Sequence, residues 1–199
     1  MLSMDYLVVI SMTIVLISGI YQFYFWCERK HIRPCRSLLT FLDSWFSCHP
    51  SWIWIYAGLY YPVIILATLT LKDTRHFAYT TFSYIVLMLL QMIFFLLFPV
   101  ETPVQWRKQV SGNSISERFL RLVHKADTDS NCFPSMHVSV AMLTSLHLTA
   151  NVPKLGLWTL LFPLLIALST LYTKRHYFLD TVPGAILGWI VFRIYNLIY

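Results

Sequence analysis

The sequence predicts an all-α membrane protein, a six-transmembrane-helix bundle with a short interfacial helix after the first span, forming one domain over 1–199. Three observations carry this prediction. The chain is 57% hydrophobic and only 12% charged, against about 25% charged for an ordinary soluble domain. Its mean hydropathy is +0.61. Its charges are also gathered between long stretches that hold no Asp, Glu, Lys or Arg. Aromatic residues make up 17% of the chain, which excludes a solvated disordered polymer. A water-soluble globule is excluded as well, because it could not cover so much apolar surface at this size.

The charge-free stretches are 6–27, 44–71, 77–100, 130–153 and 155–173. Each is close to the length of about 20 residues that a helix needs to cross the hydrocarbon core. A sixth, 181–192, is followed by Arg193 and then 194–199, and it crosses if Arg193 snorkels to the far interface. The predicted spans are therefore 6–27, 51–71, 77–100, 134–152, 155–173 and 180–198. The first is expected to be retained rather than cleaved, because Asp5 is the only charge before it and no small-residue cleavage site follows it. After it, Arg29, Lys30, Arg33 and Arg36 give way to Leu38, Leu39, Phe41, Leu42, Trp45 and Phe46, a basic turn leading into an interfacial amphipathic stretch. The one long polar loop is 101–131. In the last span Gly184 and Gly188 make a GxxxG pattern, read as close helix packing within the bundle.

With this order, loops one–two, three–four and five–six share one side of the membrane. Residues spread over those three loops and the adjoining helix ends can converge on one site. The net charge of +6 lies mostly between the spans, so the bilayer's anionic head groups and phosphate substrates are the expected partners. No nucleic-acid motif is present.

Three clusters carry chemistry. The first is Asn131-Cys132-Phe133-Pro134-Ser135-Met136-His137. Pro134 suits a first helical turn and Asn131 a cap, and the free N–H groups of a helix start attract phosphate. Ser135 adds a hydroxyl donor, and His137 a group that exchanges protons. The plain alternative is a polar cap and a buried histidine bonded to a neighbouring helix. The second cluster is 169–180, where His176 and Asp180 are spaced i, i+4, so that one helical turn would join them. A carboxylate on one ring nitrogen raises the nucleophilicity of the other. Pro183 is expected to bend the helix near Leu179, and Lys174 and Arg175 supply fixed positive charge. His-x-x-x-Asp also occurs by accident in many helices. The third cluster is Arg107 and Lys108 beyond span three, where a basic pair is ordinarily a head-group anchor. A haem protein using His137 and His147 is a weaker reading, since paired ligands would need a common depth. The Asp127-Thr128-Asp129-Ser130 run is read as chance, because Cys132 and Val138 stand where a calcium loop needs Gly and Glu.

Together these elements resemble the type 2 phosphatidic acid phosphatase superfamily, the integral-membrane lipid phosphate phosphatases. Pro134-Ser135-Met136-His137 matches the second family motif, and Ser169 with His176-Tyr177-Phe178-Leu179-Asp180 matches the third. Asp43, Pro50 and the aromatic run 52–61 resemble a branch that includes inositol phosphorylceramide synthase relatives. Where the family usually has Ser-Arg, this chain has Ser169-Thr170, so Lys174 or Arg175 would supply that charge. The resemblance implies that His176 is the nucleophile, Asp180 its orienter and His137 the proton donor and acceptor. Ser135, Arg107, Lys108, Lys174 and Arg175 would bind the phosphate, Arg107 ahead of Lys108. It also implies that neither a metal nor a cofactor is needed, since cations already neutralise the phosphate. Hydrolysis of a lipid phosphate is the first expectation. Transfer of a phosphorylated head group between lipids is the alternative, and a non-catalytic scaffold the second.

The site's side carries eleven of the basic residues and the other side four, Lys72, Arg75, Lys154 and Arg193. The positive-inside tendency would make the richer side cytosolic. Setting aside the four phosphate candidates weakens that bias, and the four cysteines fall on or near the same side, which permits disulfides in an oxidising compartment. The expectation is an extracytoplasmic site on a plasma or inner membrane.

Overall fold

The computed structural model describes residues 3–30, 32–126 and 130–199. Asp127, Thr128 and Asp129 of the run set aside above lie outside them. Among the described residues the chain is helical with no strand, apart from a lone parallel bridge between Arg36 and Val100. The elements are α1 (Ser3–Glu28), α2 (Pro50–Thr70), α3 (Thr74–Leu97), α4 (Val104–Lys108), α5 (Ile115–Ala126), α6 (Met136–Asn151), α7 (Leu161–Tyr172) and α8 (Phe178–Ile198). A 3-10 stretch, Pro153–Leu160, leads into α7 through Gly156 at φ 51°.

Among the described residues five helical segments are long and apolar enough to cross a membrane: Leu7–Cys27, Pro50–Thr70, Thr74–Leu97, Pro153–Tyr172 and Phe178–Ile198. The predicted span 134–152 appears as α6, which has only 16 residues. It is the hub of the bundle, packed most extensively against α8 and also against α7, α2 and α3. Leu143 packs with Leu87, Leu187 and Val191 on one side, and Ala141 with Tyr60, Phe162 and Ile166 on the other. Because α6 is surrounded by protein, it carries polar residues that a lipid-facing helix would not. Gln91 donates to Ser139 Oγ (2.8 Å), Tyr84 pairs with Thr144 (2.7 Å), Ser83 with His147 Nε2 (3.0 Å), and Ser145 donates to the Thr159 carbonyl (2.7 Å). Such interhelical bonds are worth about 0.6–2 kcal/mol each in a membrane.

The GxxxG reading matches the packing. A Cβ on Gly184 would stand 2.6 Å from the Ser135 carbonyl oxygen, and one on Gly188 2.3 Å from that of Ser139. Only hydrogen at these two positions lets α8 lie directly on the α6 backbone.

Several local expectations need correction. The interfacial helix is a five-residue 3-10 turn, Phe41–Trp45, after an extended strip, with Phe41 and Trp45 exposed. The polar loop 101–131 contains two helices, α4 and α5. Charges at 117, 118, 121 and 125 hide an amphipathic repeat in which Phe119, Leu120 and Val123 pack with Ile53, Tyr56 and Val110. Helix α8 runs unbroken through Pro183, with Leu179 in its first turn. Among the described residues no disulfide joins the four cysteines.

Candidate active site

The ends of α6, α7 and α8 that face the loops 28–48 and 101–131 meet in one place. Ser135, not Asn131, is the N-cap of α6, and its Oγ accepts from Val138 N (3.5 Å). Asn131 instead sits at φ 64° and donates through Nδ2 to the Tyr24 carbonyl. Pro134 precedes the cap rather than lying in the first turn. The Ser135 N–H donates to the Asp180 carbonyl (2.9 Å), which stitches the start of α6 onto the first turn of α8. As the Ser135 hydroxyl only accepts in the cap, its own proton remains to be donated.

His176 and Asp180 are joined, but not along one helical turn as i, i+4 suggested. His176 lies in the loop before α8, and Asp180 is the third helical residue. His176 Nδ1 is 3.1 Å from Asp180 Oδ2 and 3.2 Å from the Cys132 carbonyl oxygen. With two acceptors facing Nδ1, the neutral ring carries its proton there and leaves the Nε2 lone pair outward. Asp180 Oδ2 also accepts from Tyr177 N (3.0 Å), so the carboxylate caps its helix and orients the ring with one oxygen.

The His137 ring faces His176 with centroids 5.8 Å apart and planes at 65°. It is held by the rings of Tyr56 at 4.5 Å and Tyr60 at 5.0 Å. These tyrosines come from α2 at its π-helical segment Trp54–Leu59 and the α-turn after it, and such bulges recur where a helix must re-aim side chains.

Lys174 and Arg175 are buried. The turn that places them closes α7 as a Schellman motif: Arg175 N donates to Thr170 O (2.9 Å) and Lys174 N to Leu171 O (3.2 Å). Lys174 occupies the left-handed position at φ 58°, where glycine is usual and a lysine costs about 1–2 kcal/mol. Its Nζ donates to the Asp43 carbonyl (3.1 Å) and stands 4.6 Å over the Trp106 ring. Burial pushes the Lys174 ammonium below its ordinary value, opposed by Asp43 and Cys48. The Arg175 guanidinium lies within electrostatic reach of His137.

The first-motif pair is divided. Arg107 is half-buried and donates to the His124 carbonyl, while Lys108 is exposed. His124 Nε2–H in turn donates to the Thr173 carbonyl (3.0 Å), so Arg107 is one link from the Lys174 turn. The structure thus gathers Ser135, His137, Lys174, Arg175, His176 and Asp180 directly, joins Arg107 through α5, and leaves Lys108 in solvent.

Sequence reasoning gave no role to Asp43, Trp106, Tyr56, Tyr60 or the Cys132 carbonyl. Asp43 is buried, and its Oδ2 accepts from the Thr40 N–H (2.7 Å) and hydroxyl (2.8 Å). Its Oδ1 accepts from Phe178 N (2.8 Å), which fixes the loop holding His176. The one available signal was an acid left alone at the edge of an apolar stretch.

A family model described as the PAP2 superfamily matches residues 28–194. The chain belongs to the PAP2 superfamily. The match takes in every site residue above and α2 to most of α8, and it leaves out nearly all of α1. No curated protein and no solved structure matched the chain. Membership in the PAP2 superfamily brings phosphatase-type chemistry to a membrane-embedded helical fold.

Proposed function

We propose that the protein hydrolyses a lipid phosphate at the membrane surface through a phosphohistidine, without a metal or other cofactor. The observation that carries this reading is the facing pair of imidazoles, one oriented by a buried carboxylate and the other held by two tyrosines. In it, His176 Nε2 attacks phosphorus in line and the ester P–O bond breaks. His137 gives its proton to the departing alkoxide. It then takes one from the water that attacks the phosphohistidine, releasing phosphate and restoring both rings. Lys174, Arg175, Ser135 and the first N–H groups of α6 hold the non-bridging oxygens, and Arg107 braces the Lys174 turn. In this reading α6 is a sixth crossing, short because its ends lie within protein. The site faces the extracytoplasmic side, which the family resemblance supports. A phosphate-release screen of purified protein across diacyl, polyprenyl and sphingoid phosphates, with product masses read with and without added lipid alcohols, tests it. Free phosphate from at least one lipid is the expected result. Transfer of phosphate to the alcohol would replace hydrolysis by head-group transfer, and no turnover of any lipid would leave a scaffold.

A pH profile tests the role of Lys174. Its charged form grips phosphate, so activity falls on the alkaline side as pH rises through the Lys174 pKa. Asp43, Cys48, Arg175 and His176 are the titratable or charged groups around that turn, with His124 behind Thr173. Asp43 favours the ammonium, so Asp43→Asn moves the alkaline limb to lower pH. An unmoved limb would remove Lys174 from the phosphate grip.

A further inference from the structure

We propose that the cleft between α1, α2, α3 and α6 receives one hydrocarbon chain of the lipid phosphate, and that α1 sets which chain lengths fit. This deepens the reading above and rests on it. The cleft is a cavity of about 90 Å³ whose walls include Ile17 and Ile20 of α1, Tyr60 and Ile64 of α2, and Met136 and Val140 of α6.

Three features identify the occupant. First, the cleft borders the site and shares wall residues with it. Tyr60 lines it while its ring lies 5.0 Å from His137, and Met136, also in its wall, stands between the cap Ser135 and His137. A chain leaving a phosphate between His137 and His176 meets the cleft at these two residues. Second, the cleft follows α6 from Met136 to Asn151, a rise of about 22 Å at 1.5 Å per residue. That is the shape of an extended chain rather than of a compact ligand. Third, no Asp, Glu, Lys or Arg lines it. The hydroxyls of Thr13 and Thr68 are bonded to the Val9 and Ile65 carbonyls (2.8 and 2.6 Å), and that of Tyr84 to Thr144 (2.7 Å).

A chain moving from the bilayer into this cleft gains no transfer free energy, because lipid tails are as apolar as the wall. Discrimination therefore comes from fit. Helix α1 is the element to supply that fit. It lies almost wholly outside the matched family region, and its packing is confined chiefly to α3 and the Thr68–Thr70 turn. It closes one wall of the cleft and meets α6 chiefly at Met136, where Cys27 and Tyr24 pack.

The test compares kcat/KM for hexadecyl phosphate and octyl phosphate in detergent, for the unmodified protein and for the Ile17→Trp and Ile17→Ala variants. The ratio of the two constants is the readout, since it does not depend on how much protein is folded. Filling the cleft with Trp should lower the long-to-short ratio at least tenfold, and Ala should hold or raise it. Ratios that stay at the unmodified value in both variants overturn the proposal, and that result would also mean that the cleft holds only bulk lipid. Turnover of neither phosphate would overturn the proposal if the lipid screen above releases phosphate, and the hydrolase reading itself if that screen releases none, so the two failures are distinct.

Discussion

His176→Ala is expected to end turnover, with kcat falling by more than about 10⁴-fold. That is more than about 5.5 kcal/mol of barrier. The loss is so large because the proposed reaction assigns attack on phosphorus to this ring alone. In the proposed reaction His137, its ring centroid 5.8 Å from that of His176, serves the leaving group instead. The protein should stay folded, since among the described residues the hydrogen bonds lost with this ring are those from Nδ1 to Asp180 and to the Cys132 carbonyl. The backbone N–H of Tyr177 still donates to Asp180 Oδ2. Phosphate release from the best lipid of the screen is the measurement, with monodispersity in detergent as the control. Full activity in the alanine variant would overturn the phosphohistidine route. Asp180→Asn should be milder, about 10–100-fold, the worth of one hydrogen bond to a charged partner. Asn can keep its oxygen toward His176 Nδ1–H and Tyr177 N–H, because the carboxylate's other oxygen, Oδ1, is buried with no hydrogen-bond partner. The tautomer is then kept, and only the charge that stabilises the imidazolium is lost.

The helical membrane fold and most residues of the candidate site were legible because each left a signal in residue type. Charge-free runs announced the membrane helices, since a charge in hydrocarbon is costly wherever the chain places it. His137, His176 and Asp180 were legible as side chains with few structural uses in apolar surroundings. What escaped was work done by backbone. The Cys132 carbonyl that faces His176, the Asp43 carbonyl that anchors Lys174, and the Schellman turn that aims Lys174 belong to groups every residue carries. Lys174 does leave a trace, in that a lysine stands where the turn would take a glycine at no cost. The i, i+4 spacing of His176 and Asp180 pointed to the right contact by the wrong geometry. A loop residue and a helix cap meet as readily as two residues on one turn. Helix α5 was missed because it is short and the charged residues that alternate with its apolar ones along the chain make it read as a polar loop. Helix α6 was found but reads as polar, since its partners are helices rather than lipid.

The same surface on α8 yields two separable outcomes from a single methyl group. Gly188→Ala would place a Cβ 2.3 Å from the Ser139 carbonyl oxygen, 3.0 Å from Met142 Cβ and 3.2 Å from Leu143 N. Two of these atoms are backbone, so no rotamer relieves the contact and α8 must move off α6. Overpacking of this kind costs about 1–3 kcal/mol, and it falls on the most extensive helix contact in the bundle. The expected result is a marked drop in the temperature at which the purified protein loses monodispersity. Gly184→Ala meets the Ser135 carbonyl oxygen at 2.6 Å, one turn nearer the site. There the displaced atoms belong to the cap of α6, whose N–H bonds the Asp180 carbonyl. Its stability cost should be similar, but kcat should fall as well, because separating α6 from α8 widens the gap between His137 and His176. Gly19→Ala is the control, since nothing lies within 4 Å of a Cβ there and alanine is the better helix former by about 1 kcal/mol. If Gly184→Ala and Gly188→Ala both match Gly19→Ala in thermal behaviour, α6 and α8 do not touch through these glycines, and the placement of His137 on α6 against His176 in the loop before α8 by a rigid α6–α8 contact fails with them.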